Sequence, residues 1–63
     1  MTILYAKHNL RHCRRAYVYN VTERQAVRVV CQQGARIVAS LDMPDYQQGK
    51  RAAYRFYAKG DRP

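Results

Sequence analysis

Sixty-three residues and 7.4 kDa leave room for one domain, and 12 Lys and Arg against 4 Asp and Glu give a net charge of +8 and a pI near 10.1. A chain this small can hardly bury a core and also enclose a substrate pocket of about 300 Å³, so an enzyme is not expected. The charge excess points instead to an acidic or polyanionic partner.

Leu, Ile, Val and Phe make up fewer than a fifth of the chain, close to the composition of disordered segments, but six Tyr supply large areas for burial. One folded domain over 1–63 is expected, with 60–63 fraying and a core thin enough to favour a homodimer. The apolar run at the start is too short for a signal h-region or a membrane span, which predicts a cytoplasmic protein. Cys13 and Cys31 are read as reduced thiols, since one disulfide at most falls far below the density of a secreted scaffold.

In chain order, 2–6 is the weakest strand candidate. In 14–21, Ala16 and Val18 alternate with Arg15, Tyr17, Tyr19 and Val21, which predicts a strand with two unlike faces. Thr22-Glu23-Arg24-Gln25 fits a capping box with Val21 and Ala26 as staple, and Gly34 stands where a left-handed C-cap belongs, so a helix is expected over 23–33. Strands follow over 35–41, with Ala35, Ile37, Ala39 and Leu41 on one face, and over 50–59, where Ala52, Tyr54, Phe56 and Ala58 alternate with Arg51, Ala53, Arg55, Tyr57 and Lys59. The expected fold is α+β: a small antiparallel sheet of three or four strands with one helix packed on one face, in the order β, β, α, β, β. Two alternatives compete with it. The Val-rich 27–41 stretch fits a hairpin turning at Gln33-Gly34, which would give a small all-β barrel. Asp42 could cap a helix running from Pro44 onward, but Gly49 inside it costs about 1 kcal/mol and the strand is preferred.

The cations fall into acid-free blocks. Lys7, Arg11, Arg14 and Arg15 crowd together with His8 and His12, and 46–60 carries Lys50, Arg51, Arg55 and Lys59 around Tyr57. Nine of the 12 cations are Arg, whose planar fork suits phosphate and stacks on aromatic rings. Arg interleaved with Tyr predicts a nucleic-acid-binding module, DNA or RNA, through Arg11, Arg14, Arg15, Arg24, Arg28, Lys50, Arg51, Arg55 and Tyr57. Two geometries suit that reading: a helix entering a groove with Arg24 and Arg28, or an exposed sheet face stacking bases on Tyr17, Tyr19 and Tyr57. The competing reading is a small phage-type or accessory protein that docks on an acidic surface of a host protein and modulates it.

Other chemistry is weaker. His8, His12, Cys13 and Cys31 offer nitrogen and sulfur, but only the histidines have ligand spacing and four cations surround them, so no metal or other cofactor is expected. Cys31 is read instead as a core thiol on the expected 23–33 helix, and both histidines as partly exposed. Glu23 belongs to the cap, and Asp42, Asp45 and Asp61 lie in a loop and a tail, which provides no acid–base pair. The predicted helix lacks Trp, Phe and Leu for insertion, so a membrane surface is not an expected partner.

Overall fold

Segments 14–21 and 26–33 pair residue for residue, and this pairing organises the chain. The computed structural model describes residues 2–21 and 26–62. It contains β1 (Thr2–Asn9), β2 (Arg14–Val21), β3 (Ala26–Gln33), β4 (Arg36–Met43) and α1 (Tyr46–Lys59). The strands form an antiparallel meander in the order β1-β2-β3-β4, and α1 packs across one face. The sheet is open, with β1 and β4 as its edges, which excludes the barrel alternative.

The expected class, an antiparallel sheet with one helix on one face, is the observed one, but the helix comes from a different segment. Residues 26–33, expected to be helical, form β3. The segment bonds to β2 on one side and β4 on the other, and Val27, Val29 and Cys31 alternate into the core with a period of two. The proposed capping box at 22–25 lies outside the described residues. Gly34 does adopt the left-handed conformation, φ 61, but as the first residue of a two-residue hairpin turn between β3 and β4.

The strand expected over 50–59 is helical. Asp45 caps α1, its Oδ1 accepting from the Gln48 amide at 2.9 Å, and Gly60 closes it in the left-handed region, φ 77, donating to the Phe56 carbonyl at 2.7 Å. Gly49, Ala52, Ala53 and Phe56 are buried at spacings of three and four, the stripe a helix turns toward a core. Against them stand Ala16, Val18, Val27, Val29 and Cys31. Burying a side chain the size of Phe56 or Val18 stabilises by about 1.5–3 kcal/mol, so these few residues carry the fold.

One face assignment also changes. Cys31 pairs with Ala39 but Gln32 with Ile37, so a bulge places Val38 between them and turns Ile37 away from the core. Ile37 is 61% exposed rather than aligned with Ala39 and Leu41. The outward alternation of Arg15, Tyr17, Tyr19 and Val21 on β2 is as expected.

Candidate nucleic-acid interface

Direct cross-strand partners share a face of a sheet, so the register defines what the uncovered side presents. One row across it runs Ile3, Tyr19, Arg28, Asp42; the next runs Ala6, Tyr17, Val30, Ser40; the third runs His8, Arg15, Gln32, Ile37. No element among the described residues covers these rows. Arg15, Tyr17 and Tyr19 succeed one another along the same side of β2 at two-residue steps, about 6.7 Å apart. The rings of Tyr17 and Tyr19 lie 6.1 Å apart at an interplanar angle of 34°, and His8 meets Tyr17 edge-on at 6.3 Å.

Arg28 stands beside Tyr19 in this array, on a strand and not on a helix as expected. Its Nε donates to Asp42 Oδ1 at 2.9 Å, an exposed ion pair that holds the guanidinium still more firmly protonated, first through the hydrogen bond and then through the carboxylate charge. With Arg28 on β3, the helix-in-groove geometry loses its basis. Arg24 lies outside the described residues.

The remaining sequence-derived residues divide between two other regions. Arg11 and Arg15 are exposed where the β1–β2 turn meets the β3–β4 turn, the two joined by the Gly34 amide donating to the Cys13 carbonyl at 2.7 Å. Arg36, which sequence reasoning missed, adds a cation to this end; opposite Gln33, it shares the face of Arg14 and not that of Arg15. Arg14 belongs to the same end but points to the helix side. Its Nε donates to the Tyr57 carbonyl and its Nη2 to the Ala58 carbonyl, both at 3.3 Å, while Asn9 Nδ2 reaches the Tyr57 carbonyl at 2.9 Å. A cation at the negative end of a helix dipole is a structural clamp, and this one is half-buried.

Lys50, Arg51 and Arg55 are exposed on α1, on the opposite side of the molecule from the tyrosine pair. Tyr57 is not an outward strand residue flanked by cations. It is half-buried at the seam between α1 and β1, with its ring edge-on to Tyr54 at 5.4 Å. Tyr5 completes that seam under the ammonium groups of Lys7 and Lys50, 5.8 and 5.6 Å from its ring centre. Burial, followed by the nearby Tyr57 phenol, pushes the Tyr5 hydroxyl above its usual range. The seam was not legible because assigning 50–59 to a strand separates Tyr54 and Tyr57 onto opposite faces.

Cys31 is fully buried on the helix side of β3, and desolvation raises its thiol to about 11. His8 lies on the other face and His12 in the exposed turn. Among the described residues, no three His, Cys, Asp or Glu side chains gather closely enough to hold a metal ion. Among those residues, too, no helix is long and apolar enough to cross a membrane. No protein-family model, curated protein or solved structure matches the chain.

Proposed function

We propose that the chain is a non-catalytic nucleic-acid-binding module that lays a single strand, DNA or RNA, across the uncovered sheet face. The observation that carries this reading is the neighbouring Tyr17 and Tyr19 rings, flanked along β2 by Arg15 and across the sheet by Arg28. Rings supply stacking surfaces for unpaired bases, and guanidinium groups supply phosphate contacts, while Arg11 extends the positive potential past the turn end. An uncovered aromatic face suits splayed bases and not the closed edges of a duplex, so the single strand is the form favoured.

Fluorescence anisotropy with a labelled oligothymidine, an oligouridine and a duplex, each titrated at several salt concentrations, tests this. Either single strand is expected to bind more tightly than the duplex. With about five phosphates neutralised, log affinity should fall against log salt with a slope near −3 to −4. Tyr17→Ala with Tyr19→Ala should cost about 1–3 kcal/mol per lost stack. A salt-independent response, or unchanged affinity in the double variant, rejects the proposal.

The second reading, docking on an acidic protein surface, is favoured by Ile3 and Ile37, 53% and 61% exposed on the same face, where apolar contact would add to charge. A stoichiometric acidic partner recovered after nuclease treatment and a high-salt wash would replace the nucleic-acid assignment.

A further inference from the structure

The helix side of the molecule carries cations that the fold does not engage. Arg14 serves the carbonyls at the end of α1, but Arg51, Arg55 and Arg62 have no hydrogen-bond or ion-pair partner among the described residues. All three line one cleft of about 390 Å³, with Met43 and Ala52 as its apolar part and Asp61 as the one carboxylate among its described lining residues.

The local fold brings them together for definite reasons. Arg51 and Arg55 lie one turn apart on α1 and therefore share a side of the helix. Gly60 then reverses the chain in the left-handed conformation, and the Asp61 amide donates back to the Arg55 carbonyl at 3.3 Å, which carries Arg62 to the same cleft. The three guanidinium groups and one carboxylate of the described lining side chains sum to a formal charge of +2. Like charges held in one cleft repel, and an anion of matching charge relieves that cost.

We propose that this cleft binds a phosphate monoester carried on a small organic body. A monoester holds about −1.5 to −2 charges at pH 7, matching the cleft, whereas the diester of an internal nucleotide link holds one. Guanidinium forks engage phosphate oxygens in pairs. This is a partly open surface cleft and not the enclosed pocket that a chain of this size was not expected to form. Its volume exceeds the lower bound of about 300 Å³ for small-molecule sites, which leaves the Met43 side for the body of the ligand. A free nucleoside monophosphate and the 5′-phosphorylated end of a strand share this chemistry. The site does not depend on the sheet-face reading, because Tyr17 and Tyr19 lie on the other side of the molecule.

Adenosine monophosphate, adenosine, and a tetranucleotide with and without a 5′-phosphate are the probes, read by backbone amide shifts and by calorimetry. The monophosphate should produce saturable shifts around Arg51, Arg55 and Arg62, and adenosine should bind at least tenfold more weakly. Arg51→Gln with Arg55→Gln should lower monophosphate affinity tenfold or more at an unchanged melting temperature, and Asp61→Asn should raise it. Tyr17→Ala with Tyr19→Ala should leave monophosphate binding intact, which separates this site from the sheet face. Tighter binding of the phosphorylated tetranucleotide than of the monophosphate assigns a strand end; equal binding assigns the free nucleotide. Equal affinity for monophosphate and adenosine, or undiminished monophosphate binding by the arginine double variant, overturns the proposal.

Discussion

Gly49 and Val27 approach so closely that a Cβ built on the glycine would stand 2.6 Å from Val27 Cγ2, with Val18 and Val29 methyls at 3.3 and 3.4 Å. The contact seats α1 on the centre of the sheet. A methyl there must displace a β-branched side chain locked in the core, which costs about 1–3 kcal/mol, whereas Gly→Ala in a helix gains at most about 1 kcal/mol. Gly49→Ala is therefore expected to lower the urea midpoint, and Val27→Ala in the same chain to restore part of the loss. A rise in midpoint for the single variant would show that the helix stands off the sheet.

Gly34 gives the opposite case. No atom of the described residues lies within 4 Å of a Cβ built there, so substitution tests backbone conformation alone. Gly34→Ala should cost about 1–2 kcal/mol for forcing an L-residue to φ 61, and Gly34→Asn distinctly less. Equal melting temperatures for the two variants would contradict a left-handed turn at this position.

These two glycines also explain what could be read in advance and what could not. The left-handed requirement at Gly34 was legible, but a helix C-cap and a hairpin turn make the same demand, and only pairing with β2 and β4 decides between them. Residues 49–59 carry both periods at once: Ala52, Tyr54, Phe56 and Ala58 alternate like a strand, while Gly49, Ala52, Ala53 and Phe56 form a helical stripe. Counting Gly49 only as a propensity penalty hides its value as a close-approach site, a property that exists only once Val27 is opposite. The two-faced character of β2 was legible because side-chain alternation is local. The separation of the arginines into distinct regions was not, since it follows from which helix end meets Arg14 and where the chain turns at Gly60.

Neighbouring Arg14 and Arg15 are expected to respond differently to substitution. Arg14→Ala removes two bonds to the helix-terminal carbonyls, each bond to a charged donor worth about 1.5–3 kcal/mol when fully formed and less at 3.3 Å, so its main effect should be a lower melting temperature. Arg15→Ala, on the exposed sheet face, should leave melting within about 0.5 kcal/mol and weaken single-strand binding. Paired thermal melts and anisotropy titrations check this. Equal stability losses in the two variants would remove the structural role assigned to Arg14.

The two thiols provide a chemical readout of the sheet. Cys13 is exposed in the β1–β2 turn and should react with a thiol reagent in native protein at pH 8, while Cys31, buried beneath α1, should react only as fast as the protein opens. Burial raises Cys31 from its ordinary value of 9.0 to about 11 by penalising the thiolate. A folded-state value above the unfolded one means the stabilising difference is fully present below pH 9 and is lost as pH rises toward 11, because only the unfolded chain ionises in that interval. Cys31→Ala, although less stable overall through the cavity it leaves, should therefore show a shallower decline in melting temperature between pH 9 and 11 than the unsubstituted chain. Parallel declines in the two proteins would place Cys31 in contact with solvent and overturn its position in the core.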